Sequence, residues 1–576
     1  MHRLLTAAAV GGLLFAGCGA EDSSPEAGSP AEGKRGGKLT MLWTDDVDNI
    51  DPGITYYQMG YMVGYATQRP LYSYRPDDGE RAVPDLAESD PQVSEDGRTV
   101  TVTIRDGVRF SPPVDREVTA QDVKYAIERG FFRTVNNGYA GTYFGDLAGA
   151  KPGAAPGREV AGIETPDDRT LVFRLKRGSG GVLAGALALP LSAPVPEEYA
   201  AEFDRESPSL YGQHQVATGP YMIANDASGK AVGYQAGRRI RLVRNPNWVA
   251  ATDYKPAYVD EIDMPQGNDD TTLASRRVLS AEGMLTGDFS PPPAVLAQAM
   301  KRQRDQLALV PAGSFRHVTM NTSVAPFDDV DVRRAVVAGF DREAMRLARG
   351  GAAVGDIPTH ILPPGLPGFE EAGGFDGPGL DFLAEPAGDL ELAAEYFRKA
   401  GYASGRYEGD RELLMIGVSE GVAQKAAEVA AANFERLGFK VRLRLVTQDA
   451  MLGRFCSFPD ADVAVCPNLA WGKDFGDAQT VLDPLFNGNN ILPQNNANWS
   501  ELDVPEINEA MEDAALLTEP RERADAWAEI DRMVAEQAPV VPWIWDKQPL
   551  LRSADVDGAV SEFNAQWDLA WTSLRR

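Results

Sequence analysis

Residues 413–446 read LLMIGVSEGVAQKAAEVAAANFERLGFKVRLRLV, and their hydrophobic period changes twice. The run 413–418 has no polar side chain, which is typical of a strand buried on both faces. From 439 to 446, apolar and basic residues alternate, as on a strand with one face in water. Between these strands apolar residues recur at helical spacing, and Gly438 follows as a helix-ending glycine. We therefore predict a strand–helix–strand unit, with a helix that buries Val422, Ala426, Val429, Ala430, Phe434 and Leu437.

Ser419 lies in GVSEG, a Gly-x-Ser-x-Gly sequence between the first strand and the helix. Serine hydrolases place their nucleophile in this way, and their histidine base follows the serine along the chain. All four histidines, His2, His214, His317 and His360, precede Ser419. We therefore predict that Ser419 is a turn or helix-capping residue and that the protein is not an enzyme. A secreted serine hydrolase using Ser419 is the alternative from another functional class.

Other segments repeat the mixture of strands and helices. Residues 99–110 and 169–176 alternate and predict strands, and Thr119 is the expected N-cap of the helix that follows it. Two helices broken around Pro520 are expected before a strand that starts near residue 539. Such alternation of strands and helices predicts α/β or α+β domains.

The N-terminal residues 1–17 carry one arginine and an apolar stretch too short to span a bilayer. This pattern predicts an export signal, and Phe15-Ala16-Gly17-Cys18 resembles a bacterial lipobox. We expect lipidated Cys18 to hold the protein at the outer surface of the cell membrane. An ordinary secretory signal with a chance cysteine is the alternative. Residues 18–37 are rich in Ser, Pro, Gly and Glu, and predict a flexible tether.

The chain has 576 residues and a formal net charge of −28. About 540 residues after the tether are enough for two or three domains. The negative charge repels nucleic acid and anionic lipid, so we expect no nucleic-acid partner. We also expect a monomer.

Metal and cofactor sites are not expected. The histidines are isolated, the cysteines lack Cys-x-x-Cys spacing, and no glycine-rich phosphate loop is present. Cys456 and Cys466 flank a Phe-Pro-Asp turn and predict a structural disulfide in an oxidising exterior, with two free buried thiols as the alternative.

Six segments occur in an order that resembles a known family. They are VPDLAESDPQVSEDGRTVTVTIRDGVRFSPPVDREVTAQDVKYAIER, ATGPYMI, RLVRNPNWV, VDEIDM, VTMNTSVAPFDDVDVRRAVVAGFDREAM and LPPGLPG. The chain resembles the extracellular solute-binding proteins of family 5, which are peptide-, oligopeptide- and nickel-binding receptors of ABC importers. The resemblance covers residues 38–576.

The resemblance implies an α/β fold of the type II periplasmic binding protein class. Two lobes close over a ligand, and a smaller extra domain extends lobe one. The implied boundaries are 38–65, 213–313 and 539–576 for lobe one, 66–212 for the extra domain, and 314–538 for lobe two. The chain then crosses between the lobes twice, which is the geometry of a hinge.

The segment LAWGKDFGDAQTVLDPLF, residues 469–486, resembles the family segment in which an aspartate follows a tryptophan by three residues. In peptide-binding members that aspartate pairs with the α-ammonium group of the ligand, which implies this role for Asp474. Trp471 is implied to line a side-chain pocket. Without the resemblance, Asp474 would be interpreted as a solvated or helix-capping acid and Trp471 as a core aromatic. Lys473 departs from the family pattern, and its ammonium group could occupy the Asp474 carboxylate.

Further contacts are implied around this segment. The backbone near Leu469 and Ala470 could pair with an extended ligand as an added strand. Trp43, Thr44 and Asp45 follow the first strand and are expected to face the cleft from lobe one. Tyr56 and Tyr57 are weaker candidates. Trp543 and Trp545 are expected to pack the hinge rather than touch the ligand.

The function implied is a membrane-anchored extracellular receptor that captures a small solute, with a peptide as the first choice. It would deliver the solute to the permease subunits of an ABC transporter. An oligosaccharide, a metal chelate or another natural product is the alternative ligand. A binding protein that signals to a membrane kinase is a third possibility.

Overall fold

The structure is a computed structural model that describes residues 33–419, 421–493 and 495–575. Cys18, the predicted signal 1–17 and the tether up to residue 32 lie outside the described residues. Within the described residues, no helix combines the length and apolarity that a bilayer crossing requires.

The sheet of lobe one brings together distant segments of the chain. Its strand order is Met284–Thr286, Lys38–Leu42, Glu261–Pro265, Arg239–Arg244 and Tyr221–Ile223, with Tyr234–Gln235 beside Arg239–Arg244. Lys38–Leu42 runs parallel to both of its neighbours, and the other pairs are antiparallel. Alternate residues such as Ile240 and Leu242 are fully buried, which gives the sheet one core-facing surface.

The sheet of lobe two contains the predicted strand–helix–strand unit, which is confirmed. Its order is Gly355–Asp356, Val540–Leu551, Leu307–Met320, Val465–Gly472, Glu412–Val418 and Lys440–Val446. The helix Gly421–Arg436 joins the last two strands, which are parallel. Its buried face is formed mainly by alanines and Phe434, whereas Val422 and Val429 are half-buried.

The extra domain is built on a four-stranded antiparallel sheet. Its order is Gln92–Val93, Thr99–Thr103, Thr170–Arg174 and Ile163–Glu164. The helix Ala120–Gly130 begins at Thr119, which forms a capping box with Asp122, so the predicted N-cap is confirmed. Arg129 on this helix forms buried ion pairs with Asp51 and Asp204, which tie the extra domain to lobe one.

The two long strands Leu307–Met320 and Val540–Leu551 are antiparallel partners. Leu551 at one end donates its amide to Thr286 Oγ1 in the lobe-one sheet at 2.9 Å. The predicted crossings near residues 313 and 539 therefore lie in or beside a single pair of strands. Trp543 and Trp545 belong to this pair, and both indoles are buried in lobe two rather than at the cleft.

The remaining helices pack on these sheets. The helices of lobe one and the extra domain include Gln58–Thr67, Gly180–Ala186, Thr271–Ser280 and Pro293–Arg302. Those of lobe two include Val330–Gly339, Arg342–Arg349, Leu390–Lys399, Gln479–Phe486, Pro505–Ala514 and Pro520–Gln537. The last two confirm the predicted break around Pro520. A hairpin of Val556–Val560 and Trp567–Leu574 completes lobe one. A disulfide joins Cys456 to Cys466.

Candidate functional site

Residues 473–476 leave the end of strand Val465–Gly472 and enter the extra domain. The Phe475 ring lies 5.1 Å from the Tyr143 ring, between centroids, and packs in the extra-domain core. The Gly476 amide donates to Tyr74 Oη at 2.9 Å. This short segment of lobe two therefore contacts the opposite side of the cleft directly.

Asp474 lies at the centre of this contact. Its Oδ2 accepts hydrogen bonds from Tyr143 Oη at 2.6 Å and from Tyr56 Oη at 3.1 Å. The residue is 9% exposed, and burial raises the pKa of its carboxyl group to about 7. Within the described residues, the hydrogen bonds to this carboxylate come from phenols and not from a cation. A charged donor in the cleft would be a stronger partner than either phenol.

Lys473 points away from Asp474. Its Nζ donates to the Gly79 carbonyl at 2.9 Å and lies 5.1 Å from the centre of the Phe563 ring. Burial lowers the pKa of this ammonium group to about 8. The side chain of Lys473 thus contacts lobe one and its extra domain. The Asp474 carboxylate is hydrogen-bonded by the two tyrosines instead.

Trp471 is held beside the same tyrosines. Its indole Nε1 donates to the Thr480 carbonyl at 2.8 Å, which fixes the ring plane. Its ring centroid lies 6.3 Å from Tyr56 and 5.7 Å from Trp499, edge-on in both cases. Trp471 is half-buried, so part of the indole is available to line a pocket.

The strand Val465–Gly472 has an open edge near its end. The Lys473 amide donates to the Gly313 carbonyl, so the backbone of alternate residues Trp471 and Leu469 also faces the Leu307–Met320 strand. The backbone N–H and C=O of Ala470 and Gly472 therefore point to the other edge. Among the described strands, Glu412–Val418 pairs with that edge only at Val465.

The end of this strand lies beside lobe one. A Cβ added at Gly472 would lie 3.4 Å from Gln58 Nε2, on the first helix of lobe one. Ala470 is exposed, whereas the Leu469 side chain is buried in lobe two. The backbone at Ala470 is thus accessible at this edge, whereas that at Leu469 faces the neighbouring strand.

The structure does not bring Trp43, Thr44 and Asp45 to Asp474. Trp43 is fully buried in the core of lobe one and packs against Gly287. The Thr44 amide and hydroxyl and the Asp45 amide all donate to Asp288, at 2.7, 2.7 and 2.9 Å. These residues hold the end of the first strand in place.

Tyr56, a weaker candidate in the sequence, reaches the site, and Tyr57 is exposed. Tyr143 is not among the candidates that the sequence indicates. It lies on the short helix Ala140–Tyr143 of the extra domain, and no local pattern connects it with Asp474. Only the chain fold brings the two residues together.

Ser419 lies in the turn between a strand and a helix. Its amide donates to the Val446 carbonyl at 2.8 Å, just before helix Gly421–Arg436. His317 interacts with Thr319, and His360 Nδ1 lies 3.0 Å from Asp531. Among the described residues, no group of three His, Cys, Asp or Glu side chains could hold a metal ion.

This geometry agrees with the comparisons with known proteins. The family model described as bacterial extracellular solute-binding proteins, family 5 Middle, matches residues 81–492. The chain belongs to this family. Its fold is that of the type II periplasmic binding proteins, with two lobes and an extra domain. The family assignment makes it a solute-binding protein rather than a member of an enzyme family.

Several relatives within the family are similar over most of their length. Di/tripeptide-binding protein 3 of Pseudomonas aeruginosa is 23% identical over 476 residues, covering 81% of each chain. Heme-binding protein A of Haemophilus influenzae is 25% identical, covering 80% of this chain and 78% of the relative.

Solved structures show the same fold. The clavulanic acid biosynthesis oligopeptide binding protein 2 has a TM-score of 0.81 and 27% identity, covering 94% of this chain and 96% of that one. DppA from Helicobacter pylori in complex with the peptide STSA has a TM-score of 0.73 and 19% identity, covering 94% and 99%.

Proposed function

We propose that this protein captures a peptide between its two lobes, with the α-ammonium group of the peptide on Asp474. The observation that carries the proposal is a buried carboxylate whose hydrogen bonds come only from phenols among the described residues. An ammonium group in this closed site would form a charge-assisted hydrogen bond. Relatives named as dipeptide- and di/tripeptide-binding proteins support the choice of ligand.

The open strand edge supports an extended ligand. The backbone of Ala470 and Gly472 can pair with a peptide as an additional strand, which gives affinity without selecting side chains. Trp471 then lies on the same side of the cleft as these groups and lines a side-chain pocket. The binding mode therefore combines one charged end with backbone recognition.

Closure of the lobes is the proposed mechanism. Asp474 belongs to lobe two, and Tyr56 and Tyr143 belong to lobe one and its extra domain. A ligand that contacts both lobes only when they are closed shifts the equilibrium toward that state.

We propose that the solute then passes to the permease subunits of an ABC transporter, because DppA from Helicobacter pylori, which has the same fold, is described as ABC transporter-associated. The protein would act as a monomer held at the outer surface of the cell membrane by lipidated Cys18. The proposed domain boundaries are those implied above, apart from the strand Val540–Leu551, which pairs within the lobe-two sheet. Labelling cells with a radioactive fatty acid tests the anchor: label should enter the native protein and not Cys18→Ser.

Calorimetry with trialanine and N-acetyl-trialanine tests peptide capture. Acetylation removes the ammonium charge but keeps the backbone, so trialanine should bind and the acetylated peptide should bind much more weakly. Equal affinity for both peptides would reject Asp474 as the ammonium site. Failure of both to bind, together with binding of an oligosaccharide or a metal chelate, would favour the alternative ligands.

A further inference from the structure

A cavity lies beside the cleft, in lobe one and its extra domain. It is bounded by the helix Gln58–Thr67, the strand Tyr72–Tyr74 and the segment 561–569. Its volume is about 30 Å³, enough for about two water-sized groups. The polar side chains that line it include Tyr65, Lys255, Gln566 and Asp568.

The buried charges around this cavity do not balance. Arg69 pairs with Asp85 at 2.7 Å and with Asp253 at 3.6 Å. Lys255 pairs with Asp85 and lies 3.9 Å from Asp253. With Asp568, three carboxylates face two cations in this cluster, so one negative charge is left over. Of these three carboxylates, Asp568 is the one that lines the cavity.

Asp568 directs one oxygen to its own loop. Its Oδ1 accepts the amides of Ala570 and Trp571, at 3.0 and 3.3 Å. Burial raises the pKa of the carboxyl group to about 6, so the group is mostly ionised at neutral pH. The second oxygen, Oδ2, accepts no hydrogen bond from the described residues and is available to the cavity.

Two further oxygens in the lining lack partners. Gln566 is 5% exposed, and its Oε1 is buried without a hydrogen bond within the described part of the chain. The same holds for the hydroxyl oxygen of Tyr65. With Asp568 Oδ2, the lining thus holds three oxygen acceptors that receive no hydrogen bond from the described residues. The cation that acts on Asp568 is Lys255, which also lines the cavity but is paired with Asp85. The cluster as a whole therefore keeps a net negative charge. A primary ammonium group has three N–H donors and one positive charge.

The cavity wall is also part of the contact between the lobes. Tyr74 and Phe563 line the cavity, and they contact Gly476 and Lys473 of lobe two. Separation of the lobes would uncover this wall. Gln566 also donates through Nε2 to Gln58 Oε1 at 3.3 Å, and Gln58 borders the open strand edge at Gly472.

We propose that this cavity is a binding pocket for a primary ammonium group, with Asp568 as its counter-charge and Gln566 and Tyr65 as further acceptors. The group is a short side-chain amine of the captured solute. That attribution rests on the proposed function, whereas the preference of the pocket for a cation does not.

Crystals of the protein soaked in methylammonium chloride or in methanol test the pocket without any peptide. The two probes have nearly the same size, and only methylammonium carries a charge. Methylammonium should occupy the cavity within hydrogen-bond distance of Asp568 and Gln566, and methanol should not. A cavity that excludes methylammonium, or that accepts both probes equally, would overturn the proposal.

Two variants identify the groups responsible. Asp568→Asn keeps the size of the side chain and removes its charge, so methylammonium should be lost from the cavity. Tyr65→Phe removes a hydroxyl that has no hydrogen bond among the described residues, so the variant should fold and hold methylammonium at lower occupancy. Full occupancy in Asp568→Asn would contradict the role of this carboxylate.

Calorimetry tests whether the amine belongs to the solute. Three tripeptides are compared with trialanine, each with one alanine replaced by 2,3-diaminopropionic acid. One of them should bind about tenfold more tightly than trialanine, as expected for one added charge-assisted hydrogen bond. This tenfold preference over trialanine should disappear in Asp568→Asn and persist in Asp462→Asn, which changes an exposed acid of lobe two.

Three tripeptides that bind no better than trialanine would refute the attribution to the solute. No binding of any peptide would contradict the proposed function alone, since methylammonium still tests the pocket.

Discussion

Tyr143 Oη donates a 2.6 Å hydrogen bond to Asp474 Oδ2 across the cleft, although the two residues are 331 positions apart in the sequence. Tyr56 makes the matching bond from lobe one. The carboxylate of lobe two is thus held by two neutral donors of the opposite side. An ammonium ligand would bring to this carboxylate the positive charge that the phenols lack.

Removing the Asp474 carboxylate should weaken peptide capture. In Asp474→Ala, we expect the affinity for trialanine to fall by roughly 2–5 kcal/mol, as for loss of one partner of a buried charge pair. Titration calorimetry measures the change. N-acetyl-trialanine is the matched control, because it lacks the ammonium group and should respond little to the substitution. An unchanged affinity for trialanine would remove Asp474 from the site.

Peptide affinity should depend on the protonation of Asp474. The pKa of this carboxyl group is raised to about 7 by burial, and an ammonium ligand requires the ionised form. Below about pH 7 a proton must leave before the peptide binds, so affinity should fall about tenfold for each pH unit. The peptide amine, with a pKa of about 8, stays mostly protonated below about pH 7. Calorimetry between about pH 5 and pH 7 should show the slope in the native protein and not in Asp474→Asn.

Tyr143→Phe should move this pH dependence. The phenol donates to the charged form of Asp474 and therefore holds its pKa down against the effect of burial. Without it, the midpoint of the affinity profile should shift to higher pH. Tyr396→Phe is the control, because it also removes a phenol–carboxylate bond, to Asp381, in lobe two. A shift of equal size in both variants would contradict the argument.

Ala470→Pro should weaken the binding of extended peptides. The Ala470 amide points to the open strand edge, so proline removes a donor that the ligand would use and none that the sheet uses. We expect a loss of about 1 kcal/mol in calorimetry with trialanine. Thermal unfolding checks that lobe two is intact. Unchanged affinity in a folded variant would exclude strand addition at this edge.

Arg129→Met should destabilise the protein without touching the cleft. It leaves Asp51 and Asp204 buried without their cation, which costs about 3–5 kcal/mol. Urea unfolding followed by circular dichroism measures the difference. Arg174→Met, which breaks an exposed pair with Glu164, should leave the midpoint almost unchanged. Equal losses in both variants would argue against a special role for the buried cluster.

Local periodicity was sufficient to predict the strand–helix–strand unit of residues 413–446. The hydrophobic periodicity of a buried strand or of an alanine-rich helix is visible within a few neighbouring residues. Period two in the first strand also accounts for the burial of Trp43. Leu39, Met41 and Trp43 are all buried, so the alternation of the first strand continues through the tryptophan and places it in the core.

The partners of Asp474 depend on tertiary structure. The resemblance to a family predicts roles for Asp474 and Trp471, because both lie in one short segment. Tyr143 and Tyr56 come from other segments, and only packing of the extra domain brings them to the carboxylate. The direction of Lys473 likewise depends on Gly79 and Phe563, which belong to the opposite side of the cleft.

The pairing of Leu307–Met320 with Val540–Leu551 has a mechanical consequence. The two connections between the lobes form one β-ribbon, and the register of the ribbon shifts between Pro311 and Phe315. Gly313, with φ of +57°, lies within this irregularity, and its carbonyl also accepts the amide of Lys473 beside the cleft. We therefore expect opening to bend one ribbon about one axis near Gly313, rather than to turn about two independent linkers.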